Sequence, residues 1–199
     1  MTQALLVVDA QNEFSKEGKR PVPNHMAALA AIHRHMERAR MEKRPIAWVR
    51  HHNKPHESPA FIPGSWGAEL SRGLGPKAGF GAEAIFEKDV YGAFHGTGLE
   101  GWLHSNDVKS VLVVGFYTHM CLSTSVREAL VRGFEAFIDP EATGARELED
   151  EVLGFQSAEE VRRSTLLHLT NMGAQVWRES SLKVGSDQPL RIQSIRAVS

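Results

Sequence analysis

Short, wholly apolar runs alternate along this chain with longer stretches whose apolar residues return every three or four positions. Ala4–Val8 (ALLVV) is continuously apolar and stops at Asp9, the pattern of a strand covered on both faces. Ser110–Phe116 (SVLVVGF) repeats it and is the clearest strand in the chain. Pro45–Arg50, Glu83–Lys88, Glu135–Asp139 and Ala174–Arg178 complete six predicted strands. Between them, Asn24–Lys43 carries Met26, Leu29, Ile32 and Met36 at helical spacing, with Asn24 placed to cap. Further helices are predicted over Gly98–Asp107, His119–Gly133 and Ser157–Gly173. The last opens with Ser157 and Glu160 at capping-box spacing, and Gly133 stands where a helix ends. His51 to about Gly81 is rich in Pro, Gly and His, a length of loop that is usually functional or holds a short helix.

Six strands separated by helices imply right-handed crossovers and a mainly parallel sheet covered on both sides. The expected fold is therefore α/β, a three-layer αβα sandwich. There are no repeats, low-complexity stretches or linkers, so residues 1–199 read as one domain. The polar tail from Glu179 is expected to be disordered or to wrap a partner subunit.

Composition narrows the picture. A formal net charge of -1 argues against electrostatic capture of nucleic acid or an acidic membrane surface. No apolar run reaches the roughly 20 residues that span a bilayer. The start, MTQALLVVDAQ, lacks a basic segment before its apolar stretch and does not read as a signal peptide. One cysteine cannot form an intramolecular disulfide, so a reducing, cytoplasmic setting is expected.

In sheets of this kind, ligands bind outside the carboxyl ends of the strands, near the point where strand order reverses. Asp9 ends the first strand, Lys88 ends the third, and Cys121 lies just past the fourth. Taken singly, each has a plain reading: a turn former, a solvated cation, a small core residue. Taken together they suit nucleophilic acyl transfer. A free thiol has a pKa of about 8.5, and a nearby lysine and a helix N-terminus are expected to lower it. An aspartate can take the thiol proton and later deliver it to a leaving group.

The segments LLVVDAQNEF, FEKDVYGAFHGTGLEGWL and VVGFYTHMCLSTSVREAL resemble the three signature segments of the isochorismatase-like cysteine hydrolases. PGSWGAEL (Pro63–Leu70) is a fourth similar segment, and the resemblance runs from Ala4 to about Trp177. That superfamily includes nicotinamidases, N-carbamoylsarcosine amidases, ureido-compound hydrolases and isochorismatases. The resemblance implies a Rossmann-type sheet of six parallel strands ordered 3-2-1-4-5-6. It makes Cys121 the nucleophile, Asp9 the acid/base and Lys88 the third member of a triad. It also implies a cis peptide joining Phe116 to Tyr117, with the backbone N–H groups of Tyr117 and Cys121 forming an oxyanion hole. The implied reaction is cleavage of a C–N bond in a small amide or ureido compound through a thioester on Cys121. The alternatives are an enol-ether hydrolase of the isochorismatase type, a nicotinamidase, or a binding protein without turnover.

Nicotinamidases of this superfamily hold a divalent metal with an Asp-x-His pair and a later His. The corresponding positions here are His51, Asn53 and Ala60, so no cofactor is expected. His51, His52 and His56 form a remaining cluster, but adjacent imidazoles on a strand point to opposite faces and chelate poorly. Phe14, Trp66, Tyr91, Phe94, Tyr117 and His119 fall on segments expected to border the crevice, with core packing as the competing reading. Phe94 and Thr97 resemble a stretch that is mainly structural, and Gln11 and Asn12 are placed to support Asp9 or the loop beyond it. The expected partner is a small-molecule substrate, with no nucleic acid and no membrane. The resemblance also implies a homo-oligomer, a dimer or larger, whose apolar loops close the pocket from a neighbouring subunit.

Overall fold

The apolar runs become the inner strands of a sheet in the computed structural model, which describes residues 2–54 and 56–178. The expected tail, 179–199, lies outside the described residues. In chain order the elements are β1 (Thr2–Val8), α1 (His25–Met41), β2 (Ile46–His51), β3 (Glu83–Lys88), α2 (Leu99–Ser105) and β4 (Val108–Phe116). They continue with α3 (Ser123–Val131), β5 (Glu135–Gly144), β6 (Leu148–Asp150), β7 (Gly154–Gln156), α4 (Ala158–Asn171) and β8 (Gln175–Val176). Six strands form one sheet in the order β3-β2-β1-β4-β5-β8, all neighbours parallel. This is the expected order, since β8 is the sixth strand of that sheet.

The continuous apolar character of β1 follows from its central position. Ala4, Leu6 and Val8 face one buried layer with Leu99 and Leu103 of α2, Val126 of α3 and Leu169 of α4. Leu5 and Val7 face the other, with Ala28, Ala31, Ile32 and Met36 of α1. Burying each such Leu or Val is worth about 1.5–3 kcal/mol, so neither face tolerates a polar side chain.

Several local expectations shift. Helix α1 turns a stripe of Ala28, Ala31 and Ala39 to the sheet and leaves Met26 76% exposed. Ile32 and Met36 are buried as expected; the alanines widen the buried stripe on a side that the spacing of the larger residues did not show. Asn24 does not cap α1 with its side chain; its Nδ2 donates to the Thr143 carbonyl at 3.0 Å. Before α3, Thr118–Leu122 forms a π-type turn. The capping box on α4 is present: Ser157 Oγ accepts from the Glu160 N–H, and Glu160 Oε2 accepts from the Ser157 N–H at 2.8 Å. β5 runs five residues past its expected end, crossing a register shift against β4 between Val113 and Gly115. The antiparallel pair β6–β7 was not foreseen, and it carries Val152 and Leu153 at 90% and 88% exposure. Among the described residues no helix is long and apolar enough to cross a membrane.

Gly115 decides how closely the ends of β1 and β4 approach. It pairs with Val8, has φ 119°, and a Cβ there would stand 1.9 Å from the Val8 carbonyl oxygen. Both the backbone region and the clash with a neighbouring strand exclude alanine. Gly115→Ala is expected to cost at least about 3 kcal/mol, read as a lowered urea midpoint.

Candidate active site

The carboxyl ends of β1, β3 and β4 converge on one crevice. Asp9, the residue after β1, has φ 52° and is buried. Its backbone is tied on both sides: its N–H donates to the Val49 carbonyl at 3.0 Å, and its carbonyl accepts from the Gln11 N–H at 2.7 Å. Lys88 ends β3, opposite His51 of β2. Strands lie about 4.8 Å apart, so only a long side chain on β3 reaches across β2 to the end of β1. The Lys88 ammonium does so, donating to Asp9 Oδ2 at 2.7 Å and to the Val90 carbonyl at 3.1 Å, with both side chains fully enclosed. Asp9 Oδ1 is buried and has no hydrogen-bond partner among the described residues. Cys121, on the turn after β4, is 8% exposed and shares a cavity of about 550 Å³ with Asp9.

The electrostatics differ from the expectation of an ionised sulfur. Burial works against the Lys88 ammonium, but Asp9 and then Cys121 outweigh it and hold its pKa above the usual range. Burial, and next the Asp9 carboxylate, push the Cys121 thiol well above its ordinary pKa; Lys88 pulls back only in part. The reason is that the lysine's charge is already matched by a carboxylate it touches. The direction of this shift favours a neutral thiol in the resting site over a standing thiolate.

Gln11 braces this arrangement. Its Nε2 donates to the His51 and Ala68 carbonyls at 2.9 and 2.7 Å, and its Oε1 accepts from the His51 N–H at 2.8 Å. Asn12 donates to the Trp66 carbonyl at 2.9 Å. Their side chains thus tie the loop beyond Asp9 to the end of β2 and to the Trp66–Ala68 turn, while the Gln11 N–H holds Asp9 itself. Glu13 does similar work that no motif announced: its buried carboxylate accepts from the Phe61 N–H at 3.1 Å and the Lys19 N–H at 2.6 Å.

Of the six aromatic positions expected at the crevice, Phe14, Tyr91 and Tyr117 line the cavity. Phe14 stands edge-on to Tyr117 at 4.8 Å and packs on Phe61 at 5.2 Å, giving one continuous aromatic wall. Trp66, Phe94 and His119 do not line it. Trp66 is 56% exposed, because what its loop supplies to the site is backbone carbonyls. Phe94 packs beside Phe134 in the layer with α2 and α3, which is the core reading. His119 stacks on Tyr117 at 5.2 Å, and burial, helped by Arg146, pushes its pKa down to about 4. Phe61, Met120, Arg20 and Arg146 line the cavity without having been singled out; a single side chain on an unpaired loop leaves no periodic signal. The Phe116–Tyr117 peptide is cis. The Tyr117 hydroxyl donates to the Arg20 carbonyl at 2.8 Å.

The donor set does not fit a divalent metal. His51 Nε2 is 2.8 Å from Asn53 Oδ1, and its Nδ1 is 3.4 Å from the Lys88 ammonium, a poor neighbour for a cation. His52 turns the other way, toward Glu87 at 3.7 Å. Among the described residues no three His, Cys, Asp or Glu side chains gather as a metal would need.

Residues 3–170 match the family model of the isochorismatase domain. The chain is 33% identical over 144 residues to a secreted isochorismatase effector of Verticillium dahliae, covering 72% of this chain and 73% of that one. It is 31% identical over 153 residues to nicotinamidase 3 of Arabidopsis thaliana, covering 70% and 72%. Among solved structures, an isochorismatase from Pseudomonas putida superposes with a TM-score of 0.81 at 28% identity, covering 90% of this chain and 89% of that one.

Proposed function

The chain belongs to the isochorismatase family of hydrolases, and we propose that it cleaves the C–N bond of a small amide or ureido compound through a thioester on Cys121. The observation that carries this reading is the unpartnered Asp9 Oδ1 in the same cavity as the Cys121 thiol, with Lys88 bonded to the other carboxylate oxygen.

Asp9 takes the thiol proton as the sulfur attacks the substrate carbonyl, so the thiolate exists only while a carbonyl is there to receive it. The S–C bond forms, and the resulting oxyanion accepts hydrogen bonds from the N–H groups of Tyr117 and Cys121. One such donor is worth about 10²–10³ in rate. Protonated Asp9 then gives its proton to the departing nitrogen, the C–N bond breaks, and ammonia or an amine leaves. Water, deprotonated by Asp9, attacks the thioester; the acid departs and the thiol takes back its proton. Lys88 aims Asp9 through their 2.7 Å contact and offsets the negative charge as it passes between carboxylate and sulfur. The nicotinamidase among the relatives supports amide chemistry. The relatives named isochorismatase keep ether cleavage as the second reading.

A panel of small amides and ureido acids, followed by ammonia release, tests the class of bond. Hydroxylamine in the same assay tests the route, because it intercepts a thioester as the hydroxamate. Hydroxamate is expected to appear in place of part of the acid. Turnover that yields acid with no hydroxamate overturns the thioester.

A further inference from the structure

The turn that carries Cys121 is tied to β5 by a buried pair of hydroxyls that the chemistry above does not use. Thr118 and Thr143 are 0% and 1% exposed, and neither lines the cavity. Their Oγ1 atoms stand 2.8 Å apart, and Thr143 Oγ1 donates to the Gly115 carbonyl at 2.7 Å. A hydroxyl has one proton to give, so with Thr143 donating to Gly115 the proton between the two threonines is that of Thr118. Thr143 thus holds both ends of the stretch 115–118, through the carbonyl of its first residue and the side chain of its last. The Tyr117 N–H lies within that stretch. The Tyr117 carbonyl accepts from the N–H groups of Met120 and Leu122 at 3.1 and 3.2 Å, which extends the constraint to the turn around Cys121. Thr143 is itself fixed from the other side, where Asn24 Nδ2 donates to its carbonyl at 3.0 Å. The register of β4 on β5 shifts between Val113 and Gly115, so side chains make this tie where the ladder is irregular.

We propose that Thr118 and Thr143 are positioning residues of the oxyanion hole: their hydroxyl chain sets where the Tyr117 and Cys121 N–H groups point, without touching the substrate. This rests on the thioester reading above and names the groups that aim its transition-state donors. Donors aimed in advance cost no reorganisation when the oxyanion forms. A misplacement of about 1 Å costs on the order of 10²-fold in rate. Valine at position 143 keeps the shape but not the chain, because the Gly115 carbonyl and the Thr118 hydroxyl lose their partner at once.

Butanal tests this without turnover. The Cys121 sulfur adds to the aldehyde carbon, the C=O π bond breaks as the S–C bond forms, and the thiol proton ends on the aldehyde oxygen. That oxygen stands where the oxyanion of an amide would stand. The adduct blocks alkylation by iodoacetamide, and because Cys121 is the chain's one cysteine, a mass increase reports that thiol alone. The butanal concentration that halves the alkylation rate is compared with that for glutathione, whose thiol adds the aldehyde with no donors around it. The unaltered protein is expected to need less butanal than glutathione. Thr143→Val is expected to need about 10–100-fold more than the unaltered protein, and Thr118→Val to move the same way. Thr143→Ser, which keeps the hydroxyl, should stay close to the unaltered protein. The pH midpoint of alkylation without butanal should be the same in all of them, since alkylation forms no oxyanion and the Asp9–Lys88 contact is untouched; a general loosening of the site would move it. Melting curves set a temperature at which the variants are folded, and Thr118→Val carries the comparison should Thr143→Val not fold. Butanal affinity unchanged in the valine variants overturns the positioning role. So does a loss in Thr143→Ser equal to that in Thr143→Val, a midpoint that shifts with the affinity, or an unaltered protein that holds butanal no better than glutathione does. Failure of the thioester reading shows separately, as ammonia release that persists in Cys121→Ser.

Discussion

Cys121→Ser is expected to abolish turnover, lowering kcat/KM on any amide the protein hydrolyses by about 10³–10⁶-fold. The substitution is close to isosteric at a position only 8% exposed, so the urea midpoint should stay near that of the unaltered protein. What changes is acidity. A hydroxyl holds its proton far more firmly than a thiol, and the Asp9 carboxylate, the base within reach, is too weak to remove it. Ammonia release by matched amounts of the two proteins is the measurement. Serine variant turnover within a few-fold of normal would remove Cys121 as nucleophile and the thioester route with it.

Asp9→Asn is expected to separate two properties that usually travel together. Turnover falls about 10²–10⁴-fold, because no group remains to take the thiol proton and return it to the leaving nitrogen. The thiol nevertheless becomes easier to ionise. Asp9 is one of the groups that raises the Cys121 pKa, and Lys88 is the one that lowers it. Removing the carboxylate charge leaves the ammonium facing the sulfur, so the pH midpoint for iodoacetamide alkylation moves down from its position above the ordinary thiol range. Lys88→Ala moves it the opposite way. That variant also strands a buried carboxylate, at a cost of about 3–5 kcal/mol, so it must be read at a temperature where it remains folded. A midpoint that stays put or rises in Asp9→Asn sinks the view that the carboxylate keeps the resting thiol protonated.

The two experiments bear on an expectation that the sequence alone invited. A lysine near a cysteine reads as a device for lowering thiol pKa. Here the lysine touches Asp9 at 2.7 Å, and that carboxylate takes up much of its charge, so Lys88 offsets only part of what raises the thiol. No spacing in the chain reports this, because the sign of the outcome depends on which of two anions lies nearer one cation.

Much of the architecture was legible. β1 and β4 stood out as apolar runs because they sit between two helical layers and bury both faces. Their ends, with that of β3, located Asp9, Lys88 and Cys121, since the continuous apolar run of each inner strand breaks where polar side chains begin. The Ser157–Glu160 box marked the start of α4 because capping is a local hydrogen-bond exchange. All of these are properties of a segment and its immediate neighbours, and a chain carries them in its order of residues. Tertiary structure decided the rest. It added alanines to the buried face of α1 and left Met26 out of it, and formed the β6–β7 pair from too few residues to show a period. It took Trp66 and Phe94 off the cavity wall and put Phe61, Met120, Arg20 and Arg146 on it. Periodicity records that a residue is buried, not against what. Charge energies vary as the inverse of distance and of the local dielectric, and neither quantity exists until the strands have been laid side by side.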